Sequence, residues 1–309
     1  MKAVSIHAFG GPEVLELAEL DAPTVRDREV LIRVRAASIN PVDYKTRAGH
    51  YPPVTERQLP KVLGRDVAGI VEQTGTLARR WKNGDELYAM LDQEHGGYAQ
   101  SVAVRADLCA RKPRNLSFAE AAAVPLAGLT AWQGLFDHGR LESGQTVLIH
   151  GGAGGVGHFA VQFAKVRGAR VITTVSERDL DFVRKLGADQ IIDRDRERFD
   201  DIVRDVDLVL DLIAGDVQER SMRVIKPGGA LVSTLSRPDR AWARQRGVRV
   251  ANYLTRPDSA ELSEITQLIE MGKVRPYLQA TFGFADVKSA QSRAEHEHPR
   301  GKIVLDMMD

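Results

Sequence analysis

Hydrophobic and polar positions alternate with period two along the first ~115 residues, and a mixed strand and helix rhythm takes over afterwards. Met1–Ile6 alternates as a strand does. Glu29–Ala36 predicts a strand. Val67–Glu72 predicts another, and its internal Gly69 signals a bulge or a close backbone approach. Gly96–Val104 predicts a third, opened by a turn. Glycine and proline recur between these runs, as in a β-rich domain. Past Pro113 the pattern changes. Ser117-Phe-Ala-Glu120 has the form of a capping box, and an alanine-rich helix follows it. Thr146–His150 reads as a short buried strand, Val156–Val166 has helical spacing, and Arg170–Val175 is the next strand. Leu180–Leu186 is helical and is stopped by Gly187. Strands at Gln190–Asp193, Val206–Asp211 and Gly229–Thr234 continue the series. Such alternation implies right-handed crossovers and a parallel sheet. The tail departs from it, with a helical stretch at Phe284–Glu295 and a last strand at Gly301–Asp306, free to return to the first domain.

The chain has 309 residues, which suits two domains better than one. Hydrophobic residues make up 43% and charged residues 28%, the balance of a globular protein. The formal net charge of +1 argues against nucleic acid or an anionic membrane as the main partner. The basic patch formed by Arg240, Arg244, Arg246 and Arg249 reads as solvated surface. With one cysteine, Cys109, neither an internal disulfide nor a cysteine-rich zinc site can form. Cys109 lies in the alternating run Val102–Ala110 and reads as a packed strand residue. The N-terminus has no signal-peptide core, and no apolar run approaches the ~18 residues that span a bilayer, so the cytoplasm is the expected compartment.

The sharpest motif is His150-Gly-Gly-Ala-Gly-Gly-Val-Gly-His158, which holds G-x-G-x-x-G as Gly152, Gly154 and Gly157. It follows a strand and opens a helix, the context that a dinucleotide loop requires. Gly152 permits the tight turn, Gly154 lets backbone approach a pyrophosphate, and Gly157 lets helix and strand pack closely. Gly155 and Val156 complete the loop, and the helix N-terminus offers N–H groups to phosphate. An NAD site places a carboxylate about 20 residues further on. That place falls near Val175, which cannot serve. Ser176 and Arg178 follow and suit a 2′-phosphate instead, so NADPH is the expected cofactor. Glu177 argues weakly the other way and is expected to face solvent. Arg194 either adds positive charge or is plain surface. His150 reads as structural.

Ala37-Ser-Ile-Asn-Pro-Val-Asp43, Leu63-Gly-Arg-Asp-Val-Ala-Gly-Ile-Val71, Ala127-Gly-Leu-Thr-Ala-Trp132, the glycine loop and Gly301-Lys-Ile-Val304 share an order and spacing. In these the chain resembles the medium-chain dehydrogenase/reductase superfamily, in the zinc-independent NADPH:quinone oxidoreductase and alkenal/enone reductase branch. The resemblance covers essentially the whole chain. It implies an α/β fold: a GroES-like β-rich domain at 1–118 and 275–309, a Rossmann NADP-binding domain at 119–274, and a substrate cleft between them. It also implies that the last strand completes the β domain. Zinc-dependent relatives carry a ligand cysteine where this chain has Asn40 and a ligand histidine where it has Arg65. Their further cysteines are missing here, so no metal site is expected.

Without zinc, a simple alcohol is a poor substrate, because nothing stabilises its alkoxide. A quinone or an α,β-unsaturated carbonyl needs only hydrogen-bond donors for a delocalised anion, and a proton. The resemblance implies that Asn40 and Tyr51 face the nicotinamide end of the cleft. Lys45 is a candidate for the carbonyl oxygen. Asp43 and Arg47 are expected to brace this loop through an ion pair. Thr130 matches the threonine beside the nicotinamide ribose, with a helix hydroxyl as the competing reading. Lys302 matches a position near the cofactor's phosphates. The expected function is reduction of quinones or conjugated C=C bonds by a homodimer, with Val248–Asn252 as the pairing edge. Two alternatives stand beside it: a structural or RNA-binding NADPH-binding protein, and one-electron quinone reduction.

Overall fold

The computed structural model describes residues 1–308. Its strands in chain order are β1 (Lys2–Ile6), β2 (Glu16–Glu19), β3 (Glu29–Ile39), β4 (Lys61–Val62), β5 (Asp66–Thr74), β6 (Glu86–Met90), β7 (Ser101–Arg105) and β8 (Cys109–Arg111). These are followed by β9 (Thr146–His150), β10 (Arg170–Val175), β11 (Gln190–Asp193), β12 (Val206–Asp211), β13 (Ile225–Ser233) and β14 (Arg249–Asn252). β15 (Leu278–Gly283) and β16 (Lys302–Asp306) close the series. Among the described residues, no helix is long and apolar enough to cross a membrane.

The chain forms two compact units. The first takes Met1–Ala127, Arg256–Gly272 and the residues from Pro276 onward; the second takes Gly128–Thr255 and Lys273–Arg275. The first unit is therefore larger than the expected 1–118 and 275–309. The reason is the helix Ser259–Glu270, which packs on β8, gives its Leu262 carbonyl to the Tyr88 hydroxyl at 2.8 Å, and pairs Glu270 with Arg114 at 3.1 Å. Asp258 caps that helix, accepting from the N–H groups of Ala260 and Glu261.

The first unit holds a seven-stranded sheet ordered β15-β16-β3-β5-β6-β8, with β7 also on β3, and a three-stranded sheet ordered β2-β1-β4. As expected, the last strand is part of it: β16 runs antiparallel to β3 and parallel to β15. A Cβ on Gly69 would lie 2.2 Å from the Arg33 carbonyl oxygen, and the β3–β5 register shifts nearby, so Gly69 marks the close approach that the pattern predicts. Val4, Ile32, Leu87, Ile303 and Leu305 are among its fully buried core residues. The strand expected at Gly96–Val104 is shorter: Ser101–Arg105 is the regular strand, and the residues before it bend, with a single bridge from Ala99 to Ala3.

The second unit is a parallel sheet ordered β11-β10-β9-β12-β13-β14. Chain order reverses between β9 and β12, which makes the C-terminal end of β9 a topological switch point. The helices there include Gly157–Val166 and Leu180–Lys185. Capping follows the sequence: Ser117 accepts from the Glu120 N–H and Glu120 returns the bond to the Ser117 N–H. The basic patch Arg240–Arg246 forms a helix capped by Asp239.

Candidate active site

The glycine turn lies at the switch point, between β9 and the helix Gly157–Val166. Gly151 takes φ +74°, which turns the chain out of β9. A Cβ on Gly152 would stand 2.1 Å from Thr173 Oγ1, and one on Gly157 would stand 2.1 Å from the Gly151 oxygen. Both positions are closed to a side chain by the protein itself. Gly154 differs, since a Cβ there would meet nothing nearer than 3.4 Å, so its face stays open. The N–H groups of Gly155, Val156 and Gly157 meet no acceptor among the described residues. An open face beside unpaired N–H groups at a helix start is what a pyrophosphate needs.

The rim of this turn carries the expected phosphate residues. Val175 of β10 is in register with Asp193 of β11, which brings the two following segments side by side. Arg178 and Arg194 are exposed there, each loosely facing a neighbouring carboxylate: Asp179 at 3.6 Å and Asp195 at 3.7 Å. The Ser176 hydroxyl donates to Asp179 at 3.1 Å. Glu177 is exposed, as expected, and is held by Arg196 at 2.5 Å. Thr130 is buried in the helix Pro125–Trp132, with its hydroxyl 2.7 Å from that of Thr255. His150 is structural: fully buried, it contacts the Thr174 and Ser221 hydroxyls at 3.0 and 2.8 Å, and burial pushes its pKa down to about 4.

In the first unit, Asn40 caps the helix Pro41–Arg47. Its side chain is fully engaged. The amide donates to Asp66 at 2.8 Å, while its oxygen accepts from the Lys302 ammonium at 2.5 Å. Lys302 is buried and also donates to the Ile39 carbonyl at 2.8 Å. A charge out of water must find such partners. Lys302 is thereby held in this network by Asn40 and Ile39. Asn40 holds the segment in place and does not present its amide to a ligand.

The expected Asp43–Arg47 ion pair does not form. Arg47 reaches Glu295 at 2.6 Å and Gln291 at 2.8 Å instead. Asp43 accepts from the Asn40 N–H at 2.7 Å and the Tyr98 hydroxyl at 3.0 Å. Burial, with Asp66 nearby, raises the Asp43 carboxyl to about 7. A second carboxyl, Asp66, is raised by burial too, and it accepts from Ser38 at 2.7 Å and from the Leu126 N–H at 2.8 Å.

Tyr51 lines a pocket with Asp43, Lys61, Arg65, Gln93 and His95. Its hydroxyl accepts from Gln93 Nε2 at 3.1 Å, so its own proton stays available to a ligand. Lys45 is half-buried one turn away on the capped helix and is not part of this lining. Thus Tyr51 and Arg65 come together, whereas Asn40 and Lys302 join each other in the support beneath. The sequence reading missed Gln93 and the pair His95–Asp92, 2.7 Å apart. The i,i+3 spacing of an acid and a histidine in a glycine-flanked loop was the available signal.

Zinc does not fit these side chains. The Asn40 oxygen is taken by Lys302, Arg65 is a cation, and Cys109 is buried in β8 with its thiol pushed up to about 12. Among the described residues, no three His, Cys, Asp or Glu side chains are grouped to hold a metal ion.

Comparison with known proteins agrees with this architecture. Residues 26–114 match the alcohol dehydrogenase GroES-like domain, and residues 186–305 match a zinc-binding dehydrogenase family. The chain is 37% identical to a 2-methylene-furan-3-one reductase of Solanum lycopersicum, over 99% of this chain and 79% of that one. It is also 37% identical to a chloroplastic NADPH-dependent alkenal/one oxidoreductase of Arabidopsis thaliana, with the same coverage of 99% and 79%. The solved quinone oxidoreductase of Coxiella burnetii superposes with a TM-score of 0.93 at 36% identity, covering 99% of each chain. Two units of these topologies, a glycine turn at the switch point and relatives of this kind identify the chain as a member of the medium-chain dehydrogenase/reductase superfamily, in the branch that holds quinone oxidoreductases and alkenal/one reductases.

Proposed function

We propose that this chain is an NADPH-dependent oxidoreductase that reduces quinones, or the conjugated C=C of enones and enals, without zinc. The observation that carries the reading is the glycine turn, closed at Gly152 and Gly157 and open at Gly154. Gly154, Gly155, Val156 and Gly157 would hold the pyrophosphate, Arg178 and Arg194 with Ser176 the 2′-phosphate, and Thr130 the nicotinamide ribose. NADPH, when bound, supplies the hydride. The chain's own residues supply the rest: donors for a developing oxyanion, a proton, and exclusion of water. Tyr51 and Lys45 are the donors in this reading. Asn40, with Lys302 and Asp66 behind it, positions the segment that carries them. The relatives' names support the substrate class and the cofactor.

The proposal includes a homodimer paired through β14, the edge strand of the second unit. It also includes a cytoplasmic location, which cell fractionation tests.

The test uses stereospecifically deuterated NADPH and a simple enone. Deuterium at the β-carbon of the product supports the reading. Deuterium on the carbinol carbon, with the C=C intact, shows carbonyl reduction and overturns it.

A further inference from the structure

We propose that the Tyr51 pocket contains an anion subsite, built on Arg65 and Lys61, and that the substrate is a conjugated carbonyl compound bearing a carboxylate. This rests on the function proposed above and narrows its substrate class.

The pocket gathers Arg65, Lys61 and His95, with Asp43 the one carboxyl in its lining. Arg65 is anchored along one edge only, its Nε donating to the Leu91 carbonyl at 2.9 Å. That bond fixes the plane of the guanidinium and leaves its two terminal nitrogens for a ligand. Lys61 donates to the Gln93 carbonyl at 2.5 Å. Neither Arg65 nor Lys61 has a carboxylate within ion-pair distance among the described residues, although arginines elsewhere are paired, as Arg47 is with Glu295 and Arg220 with Asp200.

The acids near the pocket each engage other groups through one oxygen or face solvent. Asp92 accepts His95 Nδ1 at 2.7 Å and the N–H groups of Glu94 and His95 at 3.0 and 3.2 Å. Asp43 takes the bonds from Asn40 and Tyr98 on one oxygen, Oδ2. Glu94 is exposed to solvent. His95 is pushed toward its charged form by its hydrogen bond to Asp92, which keeps that acid paired. Lys61 is lowered by burial and by the like charge of Arg65, which outweigh the opposing pull of Asp92 and Glu94. A carboxylate entering here would meet a planar two-pronged donor and an ammonium, the geometry that binds carboxylates best. Tyr51 lines the same pocket and is the donor for the carbonyl end of such a molecule.

Two pairs of compounds test this. One is 4-oxo-2-pentenoate and its methyl ester, offered with NADPH. The ester is the more electrophilic of the two, so intrinsic reactivity favours it. The subsite reverses that order, and kcat/KM for the acid should exceed that for the ester by about tenfold or more, the worth of one charge-assisted contact. The second pair is saturated 4-oxopentanoate and its methyl ester, which cannot be reduced and report binding alone by calorimetry. Arg65→Met and, separately, Lys61→Met should each cut the acid's advantage, mainly through KM, while Arg65→Lys retains part of it. Thermal melting checks that each variant is folded. Equal handling of acid and ester by the unaltered protein in both assays overturns the subsite. Equal losses for acid and ester in both Met variants do so as well. If 4-oxopentanoate binds selectively but no enone or quinone is turned over, the subsite stands and the reductase reading falls.

Discussion

At the scale of single residues, Asp43 and His150 pull stability in opposite directions with pH. The Asp43 carboxyl moves from 3.8 to about 7 because it is buried, so folding favours its protonated form. Its folded value lies above the unfolded one, and stability is therefore lost as pH rises from about 4 to 7. The loss is on the order of 4 kcal/mol once Asp43 is ionised. His150 is held down at about 4 against its usual 6.5. It contributes stability above 6.5 that disappears as pH falls toward 4. Between pH 4 and 6.5 the two slopes cancel in part. Asp43→Asn keeps an acceptor oxygen for Asn40 and Tyr98 and removes one slope. Denaturant melts of that variant should show stability rising from pH 4 to 6.5 and higher stability than the parent at pH 7.5. A variant whose profile parallels the parent's would show that Asp43 does not titrate as its burial implies. Of this, only the structural part of His150 was legible in the chain. Asn40, Asp43, Arg47 and Lys302 stand out as residue types, but which of them pair depends on contacts between positions up to 262 apart in sequence.

At the scale of elements, the glycine turn was legible to the residue, because each glycine answers a local steric demand. That makes it testable. Gly157→Ala forces a methyl to 2.1 Å from a carbonyl oxygen and should lower the melting temperature sharply. Gly154→Ala meets nothing nearer than 3.4 Å and should leave melting of the apoprotein within ~0.5 kcal/mol of the parent. Its methyl would still occupy the open face, so NADPH affinity should fall at least tenfold. Loss of stability without loss of affinity in Gly154→Ala would assign that face to packing. Other elements were not legible, for physical reasons. β2 is largely exposed and β15 mostly half-buried, so neither shows the alternation that marks a strand. The helix Ser259–Glu270 does bury Leu262, Ile265 and Ile269 along one stripe behind a capping aspartate, a pattern that was present and was passed over.

At the scale of the whole molecule, the fold class and the return of the last strand were legible, while the boundaries were not. Pairing of Tyr88 with Leu262 and of Arg114 with Glu270 draws the helix Ser259–Glu270, late in the chain, into the first unit. The same unit depends on β16, whose Ile303, Val304 and Leu305 are almost wholly buried between β15 and β3. Val304→Pro removes a ladder donor in the interior of a sheet and should cost roughly 3 kcal/mol or more. Circular dichroism and denaturant titration would show it, and a variant as stable as the parent would contradict the central placing of β16. This placing has a consequence for how the protein is made. A ribosome delivers Lys302–Asp306 after every strand it must join, so the seven-stranded sheet stays split, with the flanks of β3 and β15 bare, until that segment has emerged. The parallel sheet of Gly128–Thr255 has all its strands in hand some fifty residues earlier, on the order of several seconds at typical rates of translation. The nascent chain thus carries one finished sheet and one waiting one, and it is the waiting one that holds Tyr51.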